Sequence, residues 1–156
     1  MEVFFVCYDK SMNIRNMTLE DLPAVISLGN DAPELAVSDE SRFWSEPRLR
    51  SWVEAGQDVL LVAEENEEVI AFQLTQLHLP SKVGYLSDIV VKEGARGRGV
   101  GAALTEETVK RMKDMGLTYI YALTQETNDA IQNLLKKEGF EAGETMVWFE
   151  EKTVSS

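Results

Sequence analysis

Apolar positions change spacing several times along the chain, and each change marks an element. Residues 13–16 read as a short strand. Thr18-Leu19-Glu20-Asp21 follows, a capping box in which Thr18 and an acid three positions on satisfy free N–H groups at a helix start. Leu22, Val25 and Ile26 then recur at helical spacing, and Gly29 marks the expected helix end. A polar, irregular stretch with Pro33 and Pro47 leads to a second helix over 47–55, where Leu49, Trp52 and Val53 share a face before Gly56 closes it. Three strand-like runs come next, 58–64, 69–77 and 82–91, the first two split by the polar turn Glu65-Asn66-Glu67-Glu68, which predicts an antiparallel meander. After Gly94 the period lengthens from two to about 3.6. Leu104, Thr108, Met112 and Met115 fall on one face, with both methionines expected as core fillers, and Gly116 stops the helix. A strand over 118–124, a helix over 128–138 ended by Gly139 and a last strand over 145–150 complete the pattern. The order β, αα, βββ, αβαβ predicts an α+β (α/β mixed sheet) domain, with helices on the faces of the sheet, rather than a purely parallel one.

No internal repeat, low-complexity tract or Pro/Gly/Ser-rich linker interrupts the chain, so residues 1–156 read as a single domain with 153–156 as a tail. Residues 1–12, with the apolar run Val3-Phe4-Phe5-Val6, are either an extra edge strand or an extension. At 156 residues and 44% hydrophobic content the chain has enough apolar surface for one core. Lys and Arg number 15 against 27 Asp and Glu, a net charge of -12 that repels phosphate backbones and argues against nucleic acid as a partner. One cysteine, Cys7, no apolar run of membrane-spanning length and no signal-peptide pattern over 1–9 point to a cytoplasmic protein with no membrane partner. His78 is the sole histidine, so no metal site is expected.

Chemistry concentrates in Leu86-Ser87-Asp88-Ile89-Val90-Val91-Lys92-Glu93-Gly94-Ala95-Arg96-Gly97-Arg98-Gly99-Val100-Gly101. An apolar strand runs into a loop with four glycines and two arginines, and the loop opens into a long helix. Glycines let successive N–H groups converge on one anion, the helix start adds partial positive charge, and Arg96 and Arg98 add full charges. A phosphate-bearing ligand is the natural occupant. The dinucleotide fingerprint is nearly matched by Gly97-x-Gly99-x-x-Ala102, but the next strand runs into Thr124 and Gln125 with no acid for a ribose. A P-loop needs Gly-Lys-Ser or Gly-Lys-Thr after its glycines, and neither is present. A glycine-rich turn without any ligand is the remaining alternative.

Arg96-x-x-Gly99-x-Gly101, between a strand ending in Val90-Val91 and a helix, resembles the acetyl-coenzyme A pyrophosphate loop of the GNAT superfamily of N-acetyltransferases. Asn128, Leu134, Lys137, Gly139 and Phe140 resemble that family's second motif, and the element order over 13–150 is similar to the family's own. The resemblance implies a V-shaped opening between the fourth and fifth strands that takes the pantetheine arm of acetyl-CoA, the co-substrate. It implies that backbone groups of Ile89, Val90 and Val91 bind the arm, with Asn128 on the other wall. It further implies that the N–H groups of Arg96, Gly97, Arg98, Gly99, Val100, Gly101 and Ala102 cradle the pyrophosphate. The reaction implied is direct attack of a primary amine on the thioester in a ternary complex, the acceptor being a small-molecule amine or a peptide or protein amine.

Two positions depart from the family pattern. The tyrosine expected after Leu134, to protonate the leaving thiolate, is Leu135 here, and Tyr119 and Tyr121 are nearby aromatics whose alternation suits packing. Relatives often carry an acidic pair on the fourth strand, whereas this chain has Ser87-Asp88. Asp88 is the candidate base, with Ser87 holding a water, or else Asp88 is a structural acceptor for loop N–H groups. Trp44 and Trp52 either wall an acceptor pocket or pack in the core, and the acids Asp31, Glu34, Asp39 and Glu40 either attract a cationic acceptor or are ordinary solvated residues. The reading is an N-acetyltransferase. Its alternative is a coenzyme A binding or sensing module without turnover, and exposed edge strands are compatible with a homodimer.

Overall fold

The computed structural model describes residues 12–39 and 42–153; the segment Val3–Val6, Cys7 and Glu40 lie outside them. Five strands form one sheet in sequence order: β1 (Met12–Asn16), β2 (Leu61–Glu65), β3 (Glu68–His78), β4 (Val83–Val91) and β5 (Tyr119–Ala122). The first four run antiparallel, and β5 joins β4 in parallel. The turn Asn66-Glu67 joins β2 to β3 with both central residues in the left-handed region (φ 50° and 63°), as the twist of a two-residue hairpin requires.

Helices α1 (Leu22–Asn30) and α2 (Glu46–Ala55) cover one face of the sheet. Leu22, Val25 and Leu49 meet Val62, Phe72, Leu74 and Val90 there. On the other face α3 (Val100–Asp114) presents Val100, Leu104 and Met112 to Leu61, Ala63, Ala71 and Leu86. Leu135 of α4 (Asp129–Lys137) and Phe140 just after it pack against that second cluster. The strand period of two thus divides each strand between two cores. Among the described residues no helix is long and apolar enough to cross a membrane.

Several expectations are corrected. Strand β2 starts at Leu61 rather than residue 58, because side chains replace the ladder there: Asp58 accepts from Leu77 N–H (2.7 Å) and Trp52 Nε1 (2.6 Å), while the Thr75 hydroxyl bridges both backbone groups of Val59. Gly29 does not end α1, which continues to Asn30; it makes room for the Phe43 ring, since an added Cβ would lie 2.2 Å from Phe43 Cδ1. Met115 is 44% exposed rather than core, because the chain reverses at Gly116 (φ 88°) and Leu117 fills the interior. The last strand, expected over 145–150, does not form. An apolar run becomes a strand only within a ladder. Here Glu150 instead accepts from the Ser38 hydroxyl (2.6 Å), and Met146, Val147, Trp148 and Phe149 stay exposed.

Arg15 locks the start of the first helical region to the sheet. Its guanidinium makes a two-pronged pair with Asp21 (2.7 and 2.8 Å) and bonds Glu64 of β2 (3.1 Å), while Asp21 also accepts from the N–H (2.8 Å) and hydroxyl (3.1 Å) of Thr18. Burial alone would raise the Asp21 carboxyl pKa, but Arg15 and the two Thr18 donors outweigh it and hold the group below its ordinary 3.8. A folded pKa below the unfolded one means that the contribution is complete above 3.8 and fades as the pH falls below it. Asp21→Ala is expected to cost about 3 kcal/mol in urea denaturation at neutral pH, because it leaves Arg15 half-buried without its main partner, and the gap to wild type narrows in acid.

Candidate active site

Strands β4 and β5 lie side by side only where 83–86 face 119–122. From Ser87 to Val91, β4 keeps β3 on one side and has no β5 residue on the other. A row of backbone N–H and C=O groups is thereby left for a ligand. The local cause is a bulge. Leu74 faces Asp88 and Thr75 faces Leu86, so Ser87 is an extra residue in β4. Such an insertion bends the strand and strengthens its twist. Strand β5 is also only four residues long before the chain turns away into α4.

Below the opening, the loop after β4 reaches α3 through two left-handed glycines, Gly97 (φ 75°) and Gly99 (φ 80°), the second serving as the N-cap of α3. Its first helical bond runs from Ala103 N–H to the Gly99 carbonyl (3.0 Å). The N–H groups of Val100, Gly101 and Ala102 therefore have no partner inside the helix and form the positive end of its dipole. Gly101 marks a close approach: a Cβ there would lie 3.5 Å from Val91, 3.7 Å from Leu134 and 3.9 Å from Ile89. The start of α3, the end of β4 and the inner face of α4 converge at that point. Both arginines are already engaged. Arg96 Nε donates to the Val91 carbonyl (3.0 Å), and Arg98 is ion-paired with Glu65 at the end of β2.

On the opposite wall Asn128 is the N-cap of α4, its side-chain oxygen accepting from Ile131 N–H (3.3 Å). That use leaves the carboxamide N–H₂ as the group able to meet a ligand. Asp88 sits at the bulge and accepts two hydrogen bonds at the same oxygen, Oδ2, from Ser87 Oγ (2.6 Å) and Trp44 Nε1 (3.0 Å). Ser87 thus bonds the carboxylate directly. Trp44 rests edge-on against Trp52 (5.3 Å, 78°), and both are partly buried against the first core, Trp44 also holding Asp88.

Tyr85 is a component that sequence reasoning missed. Its ring stacks on Tyr121 of β5 (4.9 Å, 16°), and burial, then the negative charge of Asp88, then Tyr121 push its phenol up to about 12. Positions 85 and 88 of a regular strand face opposite sides. The extra residue at Ser87 cancels one step of that alternation and brings Tyr85 and Asp88 to the same face, a relation that only the bulge reveals. Tyr119 stands 6.1 Å from Tyr121 and is 63% exposed. Leu135 packs into the second core cluster and offers no hydroxyl.

The chain matches the model of the acetyltransferase (GNAT) family over residues 27–140. It is 25% identical over 144 residues to an L-methionine sulfoximine/L-methionine sulfone acetyltransferase of Pseudomonas paraeruginosa, covering 84% of this chain and 81% of that one. It is 29% identical over 118 residues to a D-amino-acid N-acetyltransferase of Saccharomyces cerevisiae, covering 73% and 70% of the two chains. Its fold matches YncA of Salmonella typhimurium, solved with its cofactor acetyl-CoA, at a TM-score of 0.76 and 21% identity over 88% of this chain and 83% of the other. These likenesses do not favour binding without turnover. A sheet that splits at a bulge above a glycine-rich helix start, together with a family match across most of the chain, identifies the protein as a member of the GNAT family, an N-acetyltransferase that draws its acetyl group from acetyl-CoA.

Proposed function

We propose that the protein acetylates a small-molecule primary amine in the cytoplasm, with Asp88 as the base and the β4–β5 opening as the seat of the pantetheine arm. The observation that carries this reading is the coincidence of three features at Ser87: pairing with β5 ends, the strand bulges, and Asp88 is held by Trp44 and Ser87. Backbone groups of Ile89, Val90 and Val91 meet the arm. N–H groups of the loop and first turn of α3, from Arg96 to Ala102, meet the pyrophosphate, led by those of Val100, Gly101 and Ala102, which have no partner inside the helix. Arg96 closes the end of β4 in this structure, so its bond to Val91 exchanges for the cofactor.

Asp88 has one oxygen fixed by two donors and the other, Oδ1, without a hydrogen bond among the described residues. Oδ1 is the atom that takes the proton. The amine nitrogen forms a bond to the thioester carbonyl carbon, its proton passes to Asp88 directly or through water, and the C–S bond breaks with its electron pair leaving on sulfur. A thiol titrates near ~8.5, so the thiolate departs without an obligatory acid, in keeping with Leu135 at the position where the family has tyrosine. Tyr85 holds its proton too tightly to deliver it to such a thiolate; with Tyr121 it forms an aromatic wall beside the carboxylate.

Acetyl-CoA titrated calorimetrically is expected to bind wild type in the micromolar range. Gly101→Leu, which fills the space between Val91, Leu134 and Ile89, weakens that binding at least about tenfold, or about 1.4 kcal/mol, with little change in Tm. Absence of binding to wild type would sink the assignment of the cofactor site. Thiol release over a panel of amino acids, polyamines and peptide N-termini identifies the acceptor. With the best of these, Asp88→Asn is expected to lower kcat by about 10² or more while the cofactor Kd is unchanged. Full activity in that variant removes the base role.

A further inference from the structure

The described residues of the loop between α1 and α2 carry a single turn of regular structure, over Pro33–Leu35. Yet the loop walls a cleft of 360 Å³ lined by Asn30, Ala32, Pro33, Ala36, Ser38 and Arg42, on the side of the sheet where Trp44 meets Asp88. Its position is set from across the molecule. Gln125, just beyond β5, donates both hydrogens of its side-chain amide into this loop, to the carbonyl of Glu34 (3.1 Å) and to that of Ala36 (2.8 Å). Two bonds from one planar amide fix both distance and orientation.

Gln125 is itself held by the other wall of the opening. Its carbonyl accepts from the Asn128 N–H (3.0 Å) and from Gln132 Nε2 of α4 (3.3 Å), and that same Gln132 nitrogen reaches the Glu126 carbonyl (2.8 Å). The turn 125–128 therefore joins two things: the loop that walls the cleft, and the helix start whose cap, Asn128, faces the proposed pantetheine arm.

We infer that Gln125 is a positioning residue that couples the 125–128 turn to the loop between α1 and α2, so that seating of acetyl-CoA against Asn128 is transmitted to the carbonyls of Glu34 and Ala36. The inference rests on the cofactor site proposed above. A ligand that fixes the 125–128 turn restricts the side chain of Gln125, and with it the two carbonyls to which that side chain is bonded. Coupling of this kind is reciprocal: an occupant that holds the loop tightens cofactor binding by the same factor.

Amide hydrogen exchange over residues 31–38 tests it, with acetyl-CoA as the only ligand. In wild type, saturating acetyl-CoA slows exchange there at least about fivefold. In Gln125→Ala, and in Gln125→Glu, which keeps the size but sets a carboxylate against two carbonyls, the slowing is lost while the calorimetric Kd stays within a few-fold of wild type and the Tm is little changed. A merely structural role would speed exchange with and without cofactor and preserve the difference between them. Equal cofactor-dependent protection in wild type and both variants overturns the inference, as does binding of acetyl-CoA to wild type with no protection at 31–38. Failure of wild type to bind acetyl-CoA is a different result: it removes the cofactor site itself and the coupling with it.

Discussion

The parallel pairing of β4 with β5 ends after four residue pairs, and the rest of the site depends on that early ending. A sheet that remained zipped would bury the backbone of Ile89, Val90 and Val91 in a ladder and leave no slot for a linear ligand. Keeping strands apart once they are adjacent requires a reason in each strand. In β4 it is the added residue at Ser87; in β5 it is the turn into α4, tied by Gln125, Asn128 and Gln132. Those features also set the geometry of the proposed chemistry, since the bulge lies beside Asp88, the proposed base, and α4 begins beyond the end of β5.

Electrostatics at this site is local. The protein carries a net charge of -12, yet the start of α3 gathers unpaired N–H groups, with Arg96 and Arg98 beside them. Both cations have internal partners, a backbone carbonyl and the Glu65 carboxylate. At the proposed pyrophosphate site, pre-pairing keeps two long side chains near the helix start at the cost of a partner exchange when an anion arrives. The helix terminus needs no such exchange, because its donors are fixed by the backbone.

Much of this was legible from residue order. Spacing alone located all four described helices and, within a few residues, the five described strands, because burial on one face imposes a period that the sequence must carry. The glycine loop was legible for a related reason: the left-handed angles at Gly97 and Gly99 are costly for other residues. What escaped depends on contacts between distant segments. Gly29 looks like a helix stop until Phe43 is seen lying against it. Tyr85 looks like the far side of the strand until the bulge is counted, and nothing near Gln125 in the chain announces that its partners are Glu34 and Ala36. The 145–150 segment has the pattern of a strand and lacks a ladder, which no pattern can supply.

That last feature bears on the protein's behaviour as a colloid. Among the described residues, β5 is an edge strand with no further strand beside it, Tyr119 and Leu123 are exposed, and the apolar run from Met146 to Phe149 is exposed as well. Opposing them is the like charge of every copy, -12 per chain, whose reach shrinks from about 30 Å at 0.01 M salt to about 8 Å at 0.15 M. Dispersal in solution is therefore held by a long-range repulsion that salt erases, set against a short-range stickiness that salt leaves intact.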